Sequence, residues 1–423
     1  MKQTYVFLIF FFLTVNLFSQ VWVEQNQPPP PRPLKAVSIV NSRVVWACGD
    51  SGTVLYTLNA GVNWQFIGGG VLGNNPVYCI TGIDSLTAIC AVNTNIAFIL
   101  KTTDKGFSWQ PSFIQPNGFI NDIEMISPVM GFAYGNPVGG RWTLLRTING
   151  GQTFDSTGLY LPQAGSETGL PNAMFASGNN IFFGTNNFRI YRSTNGGVNW
   201  NFSIIGGQNT NSITFNGLAG FAVGDLCYTT TNSGLIWTQV SGLPGAGVFK
   251  TISNSGQYFW YGRGTQIFYS SNNGANFNLQ YNSPVAGVYQ QLAFTLSASD
   301  NILSTIRGWG VTNNSAISNY TDTEVGLEPA NKKIPSFFRL YPNYPNPFNP
   351  ATNVKYQIAN NDLFVKLNIF DITGKDIAVL INRKQDAGNY HILFNFEKFP
   401  SGVYFCRLQA GDFSETQKMI LLK

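Results

Sequence analysis

The sequence predicts an all-β chain: a seven-bladed β-propeller followed by a small Ig-like β-sandwich. Three observations predict it. A turn motif recurs six times over the first three quarters of the 423 residues, at intervals of roughly 37 to 46, the period of four-stranded propeller blades. Charged residues make up only 11%, against about 25% in average soluble chains; Gly, Asn, Thr, Ser and aromatics replace them, which are turn and strand formers. The last eighty or so residues drop the repeat and hold short strands punctuated by glycines, the pattern of a small sandwich.

The chain opens Met1-Lys2-Gln3-Thr4, followed by an apolar run from Tyr5 to Phe18 and then Ser19-Gln20. A short basic segment, a hydrophobic stretch and a small residue make a secretory signal peptide over residues 1–19, with cleavage expected after Ser19. The apolar run is shorter than the roughly 20 residues of a spanning helix. No charged cluster follows it and no second stretch of spanning length occurs, so no integral membrane segment is expected after cleavage. The net charge of +5 is small for this length. No stretch concentrates Lys and Arg, so no nucleic-acid partner is expected.

The five cysteines, Cys48, Cys79, Cys90, Cys227 and Cys406, are irregularly spaced, and His391 is the single histidine. Without a C-x-x-C pair or a histidine cluster there is no zinc site. Cys48, Cys90 and Cys227 lie inside apolar runs and read as small buried core residues. Export would permit disulfides, and a Cys79–Cys90 bridge stays open.

Each turn copy couples a short strand, a polar turn with glycine and an aromatic. The six carry Asn59, Gly61 and Trp64; Asp104, Gly106 and Trp109; Asn149, Gly151 and Phe154; Asn195, Gly197 and Trp200; Asn232, Gly234 and Trp237; Asn272, Gly274 and Phe277. Asn or Asp folds its side chain onto the turn amides, and Gly two residues on supplies a positive φ. The aromatic starts the returning strand and packs on the blade. Upstream of each turn lies a second motif, such as Val45-Trp46-Ala47-Cys48-Gly49, Gly131-Phe132-Ala133-Tyr134-Gly135 and Gly220-Phe221-Ala222-Val223-Gly224. Its seventh copy, Gly308-Trp309-Gly310-Val311, leads to Ala316–Asp322 with no aromatic return strand. Val21-Trp22-Val23-Glu24 resembles Asn63-Trp64-Gln65-Phe66. The N-terminal strand is therefore expected to complete the seventh blade, giving a propeller over residues 20–325 without open edges. These turns resemble Asp-box (BNR) repeats, found in sialidases, sortilin-type receptors and photosystem II assembly-factor-like proteins. The paired Gly-Phe-Ala-Val-Gly and Ser-Thr-Asn-Gly-Gly segments are most similar to the last. The resemblance implies the fold and leaves activity open, since the turn is structural.

A Pro- and Lys-containing linker is expected over 326–339 and a second domain over 340–423. Its strand-like segments are 353–358, 365–371, 390–395, 402–410 and 418–422, with Gly374, Gly388 and Gly402 as turns. Proline density in Tyr341-Pro342-Asn343-Tyr344-Pro345-Asn346-Pro347-Phe348-Asn349-Pro350 favours extended backbone. Five segments, in order, resemble the type A C-terminal sorting domain of the bacterial type IX secretion system. They are Tyr344–Pro350, Ile369-Phe370-Asp371-Ile372-Thr373-Gly374-Lys375, Ala387-Gly388, Ser401-Gly402-Val403-Tyr404-Phe405 and Lys418–Lys423. Phe394-Asn395-Phe396 departs from the usual Trp-Asp or Trp-Asn. The motif residues are Pro345, Asn346, Pro347, Phe348, Asp371, Gly374, Gly388, Gly402, Val403, Tyr404 and Lys418. The resemblance implies the type IX machinery as partner, outer-membrane export, removal of the domain, release or surface anchoring, and a Bacteroidota-type source.

For chemistry, a sialidase-like site needs an arginine cluster, a tyrosine nucleophile with an acid partner, and an aspartate near the axis. The arginines are few: Arg43, Arg141, Arg146, Arg189, Arg192, Arg263 and Arg307, and Arg146 and Arg192 are repeat-equivalent strand positions. Asp50 and Asp225 follow the glycine of the second motif and read as turn residues. Asp122 and Glu124 alternate in one strand and point to one face, a candidate carboxylate pair for glycoside hydrolysis. His391 falls in the second domain and reads as structural. No P-loop, dinucleotide fingerprint or nucleophile elbow appears. The expectation is a non-catalytic propeller without cofactor or metal, binding an extracellular protein or glycan; the alternative is a glycosidase or sialidase on the same scaffold.

Overall fold

Short β-branched and aromatic runs separated by Gly and Asn turns pair with their chain neighbours as successive antiparallel meanders. A computed structural model describes residues 20–298, 304–322, 338–360, 363–385, 388–397 and 399–422; the expected signal peptide and most of the expected linker lie outside them. The chain divides into two compact units, Met1–Val325 and Gly326–Lys423. Among the described residues the only helical element is a single 3-10 turn, Gly70–Leu72.

The first unit is seven sheets in chain order, each a blade. The inner strands are Leu34–Ile39, Val77–Gly82, Ile120–Met125, Gly169–Ser177, Thr210–Asn216, Phe249–Ser255 and Tyr289–Ala298. Blades one, two, four, five and six each add three more strands outward in sequence order. The third blade has only three strands; Asp155 and Pro162 bridge to Arg146 and Arg141 where a fourth would lie. Phe154, Leu159 and Leu161 are buried there and cover the surface a fourth strand would protect.

The seventh blade draws its outermost strand from the other end of the chain. Gln20–Gln25 pairs antiparallel with Ile317–Asp322, with Trp22 opposite Tyr320, as expected from the Trp22 segment. Closure removes the two unpaired edges an open ring would expose.

The six turns share one hydrogen-bond pattern. The strand before each ends in a hydroxyl residue: Thr57, Thr102, Thr147, Ser193, Thr230 or Ser270. That oxygen accepts the N–H of the turn glycine at 2.8–3.0 Å and donates to the Asn or Asp Oδ1 at 2.8–3.0 Å. The same Oδ1 accepts a backbone N–H four residues on at 2.9–3.1 Å. The glycines take φ from +74° to +86°, which a Cβ would strain. Trp64, Trp109, Phe154 and Phe277 are buried, while Trp200 and Trp237 are half-buried. The middle turn residue donates its N–H to the first hairpin of its own blade, as from Ala60 to the Arg43 carbonyl and from Gly196 to the Asn179 carbonyl, so the turn staples the outer strands to the inner ones.

The second unit is a sandwich of a three-stranded sheet, Arg339–Leu340, Ala351–Ile358 and Gly388–Asn395, and a four-stranded sheet. The latter runs in the order Asp376–Gln385, Leu363–Phe370, Gly402–Ala410 and Phe413–Leu421. Phe348, Tyr356, Leu367, Phe396, Leu408 and Met419 fill the space between them. The Asp376–Gln385 strand is an addition to the sequence reading. It lies at a sheet edge with most side chains exposed or half-exposed, so it lacks the alternation that marks a buried strand.

Candidate functional site

Each inner strand carries an irregularity at the same level. The register with the second strand shifts around one extra residue at Lys35, Tyr78, Asn121, Asn211, Lys250 and Gln290. In the fourth blade residues 170–173 stand where the partner strand has Gly184 alone. Such bulges bend a strand and re-aim the side chains that follow. The residues after the bulge then reach sideways to the next blade. Asp122 Oδ2 accepts the Met174 N–H at 3.1 Å, and Ser212 Oγ accepts that of Ile252 at 3.3 Å. Thr251 Oγ1 accepts the Leu292 N–H at 2.9 Å, and Gln291 Oε1 accepts that of Val37 at 2.8 Å, joining the seventh blade to the first. Within the enlarged fourth-blade bulge, Asn172 Nδ2 donates to the Lys35 carbonyl of the first blade at 3.1 Å, a link between non-adjacent blades.

Together the seven inner strands enclose an axial chamber of about 310 Å³. Its wall mixes hydroxyls and amides (Ser38, Thr81, Ser212, Thr214, Ser253, Asn254, Gln291) with Ile, Leu and Met and the rings of Phe175 and Phe294. Among the described residues the only acidic or basic side chains on it are Asp122 and Glu124. Residues two apart on a strand stand roughly 7 Å apart, so the pair does face one space, as the alternation suggests. The two differ in commitment. Asp122 is 4% exposed and accepts from the N–H groups of Ile123 at 2.9 Å and Met174 at 3.1 Å. Glu124 has no hydrogen-bond or ion-pair partner among the described residues; burial first, then the neighbouring Asp122, pushes it well above the usual carboxylate range. Burial likewise pushes Asp122 up to about 7, against the lowering pull of its two N–H bonds.

This arrangement makes stability pH-dependent with a defined sign. A carboxyl raised from 3.8 to about 7 binds its proton more tightly in the folded state. Its contribution is present at about pH 4 and is lost as pH rises through about 7. Melting temperatures measured from pH 4 to 8 are expected to decline, with Glu124→Gln removing part of the slope and added Asp122→Asn most of the rest. Superimposable profiles for the three proteins would refute a desolvated pair.

The other expected site residues lie elsewhere. None of the seven candidate arginines lines the chamber. Arg189 pairs with buried Glu167 at 3.0 Å, Arg263 donates to the carbonyls of Leu243, Pro244 and Gly247, and Arg307 donates to Thr321. Asp50 pairs with Lys35 at 2.9 Å, and Asp225 holds the Asn209 backbone and side chain, both in turns between second and third strands. Glu167 was absent from the sequence reading. It lies in an irregular segment, yet its carboxylate is fully buried and gathers Tyr191, Trp142, the Ala164 N–H and Arg189. All five cysteines are buried free thiols. The Cys79–Cys90 bridge left open by the sequence is ruled out by register. Cys79 faces Ala91 and Cys90 faces Ile80, so the two side chains point to opposite sides of the blade.

In the second unit Asn346, Phe348, Gly402 and Val403 of the motif meet the last strand. The Pro345 carbonyl accepts from Asn343 and Thr352. Asn346 accepts the Ile420 N–H at 2.9 Å and donates to the Lys418 carbonyl at 3.0 Å. After Pro347, Phe348 is 2% exposed, packs on Phe396 at 4.9 Å, and bonds through its backbone to Ile420 and Leu422. Asp371 accepts from Thr373 and Lys375 around Gly374, and these bonds, led by the Thr373 hydroxyl, hold its carboxyl low. Gly388 and Gly402 sit opposite Ile358 and Leu421, Val403 opposite Ile420, and Tyr404 is buried with its hydroxyl on the Pro400 carbonyl. Among the described residues no group of three His, Cys, Asp or Glu could hold a metal, and no helix is long and apolar enough to cross a membrane.

Comparison with known proteins assigns the second unit. Residues 343–422 match the secretion system C-terminal sorting domain. No curated relative matches the chain. Among solved structures, YCF48 bound to D1 peptide is similar at 13% identity and TM-score 0.55, covering 71% of this chain and 96% of that one. YCF48 from Cyanidioschyzon merolae gives 14% identity and TM-score 0.53, covering 71% and 98%. The extracellular domain of a putative hybrid two-component system from B. thetaiotaomicron gives 10% identity and TM-score 0.51, covering 95% of this chain and 57% of that one. At these identities the likeness shows the propeller fold alone.

Proposed function

We infer that the protein, carrying a secretion-system sorting domain over residues 343–422, is exported by the type IX system and secreted or held at the cell surface. We propose that the propeller is a non-catalytic binding module whose ligand is an extracellular protein or glycan. We further propose that residues 1–19 are a cleaved signal peptide, that the propeller of Asp-box-type repeats spans 20–325, a linker 326–339 and the sorting domain 340–423, and that the source is a member of the Bacteroidota. The type IX machinery is the partner that reads Pro345–Phe348 and the other motif residues.

One observation carries the binding reading. Asp122 sits at the position where other blades place Ser212, Thr251 and Gln291, and like them it accepts the next blade's N–H. That makes it a blade-joining residue and leaves Glu124 without a free second carboxylate, where glycoside hydrolysis needs two. The glycosidase reading keeps one point in its favour, two carboxyl-bearing residues whose Cα atoms stand roughly 7 Å apart and whose side chains face one space. A glycan and surface-protein binding screen of the mature chain, run beside a chromogenic glycosidase panel, separates them. The expected result is a saturable partner and no turnover. Turnover that Glu124→Gln abolishes would replace the binding reading with the enzymatic one.

A further inference from the structure

The axial chamber carries a more specific inference, which rests on the binding reading. At about 310 Å³ it is at the lower end of the roughly 300–1,000 Å³ of small-molecule sites. Among the described residues its titratable side chains are one-sided: Asp122 and Glu124 are on the wall, and neither Lys nor Arg is. Asp122 is held by two backbone N–H groups, so Glu124 is the wall's uncommitted carboxyl. Its side chain is half-buried, and it faces a space large enough for a ligand. Phe175 and Phe294 add apolar ring surface, Phe294 with one face stacked on Trp260 at 3.8 Å, and Ser38, Ser253 and Asn254 supply weak dipoles.

We propose that the chamber binds a small organic cation of the alkylammonium class, with Glu124 as its counter-charge and the aromatic wall around its alkyl groups. A hard metal ion fits less well. It needs about six or more oxygen ligands, and the described residues gather no three acidic or metal-binding groups. A quaternary ammonium is weakly hydrated and suits a half-apolar cage with one anion and aromatic faces.

The binding has a proton signature. In the empty chamber burial, and then the neighbouring Asp122, disfavour the Glu124 carboxylate and raise its affinity for a proton. The other titratable groups around the pair, the Cys48 and Cys79 thiols of the first and second blades and the Tyr134 phenol of the third, are themselves pushed upward, while Lys35 is engaged by Asp50. A cation seated against Glu124 favours the carboxylate, so binding releases a proton and tightens as pH rises.

Calorimetry on the mature protein tests this with choline, its neutral isostere 3,3-dimethylbutan-1-ol, and calcium chloride. Choline is expected to bind, to release about one proton when the titration is repeated in two buffers of different ionisation enthalpy, and to exceed the alcohol by about tenfold or more. Glu124→Gln should cost choline that same factor and leave the alcohol unchanged. Ala293→Phe, which fills the chamber from the seventh blade's inner strand, should abolish both. Equal affinity for choline and the alcohol, an unaffected Glu124→Gln variant, binding of calcium in place of choline, or no choline heat at all would each overturn the proposal. Should Glu124→Gln not fold, the proton count on the unmodified protein decides alone. A partner found in the surface screen together with no choline binding would sink this inference and spare the binding reading; turnover in the glycosidase panel would sink both.

Discussion

Trp22→Ala is expected to destabilise the propeller by about 3–5 kcal/mol, the cost of emptying a buried aromatic site. Trp22 is 8% exposed and sits among Tyr281, Phe294 and Tyr320 at ring separations of 5.5, 6.0 and 5.1 Å. Its indole N–H shares the Gln280 amide oxygen with Trp260, each at 2.9 Å. Two residues on, Glu24 Oε1 accepts from the hydroxyls of Tyr281, Ser283 and Ser318 at 2.8, 2.7 and 3.0 Å. The closing strand is thus bound to the sixth and seventh blades by ring packing and by one carboxylate. Its loss would leave Ile317–Asp322 as an open edge, a template for association. Val23→Ala is the control: its side chain is 52% exposed, and a change within about 0.5 kcal/mol is expected. Denaturant unfolding with light scattering reads both. Equal stability of the two variants would show that the ring does not depend on this strand.

Phe348→Ala is expected to cost the second unit about 3–5 kcal/mol and to collapse export while the propeller stays folded. Phe348 lies under the last strand, 2% exposed against Phe396, and its backbone brackets Ile420 and Leu422. Asn346 clamps the same strand through Lys418 and Ile420. The matched sorting segment therefore owes its shape to a motif that holds its own C-terminal strand. Comparing extracellular and cell-retained protein for Phe348→Ala and Asn346→Ala in a host with the type IX machinery tests this. Undiminished export of a Phe348→Ala chain whose sandwich has melted would show that recognition needs the linear sequence alone.

Much of this was legible beforehand because it is local. The Asn–Gly–aromatic spacing shows blade turns, since a turn's demand for positive φ and a short acceptor side chain is met within nine residues. The hydroxyl at Thr57, Thr102, Thr147, Ser193, Thr230 and Ser270 was equally legible as an invariant Thr or Ser two residues before each Asn or Asp, and only the hydrogen-bond pattern reveals why it recurs. The seventh blade could be completed from sequence because Trp22 copies an aromatic whose partner strand was missing. The Asp376–Gln385 edge strand was illegible because an exposed edge imposes little alternation.

The amino-acid sequence by itself determined the all-β class, the blade count, the ring closure and the C-terminal sorting domain, each of which follows from short-range patterning or a contiguous motif. The tertiary structure alone decided what the Asp122 and Glu124 alternation means. A one-residue bulge at Asn121, visible only against the neighbouring strand, turns Asp122 onto Met174 of the next blade and leaves Glu124 facing the axis. Register and ring curvature are properties of strands far apart in sequence, so a pattern within one strand could place the two carboxyls on a common face but could not distinguish the one that joins blades from the one left unpartnered.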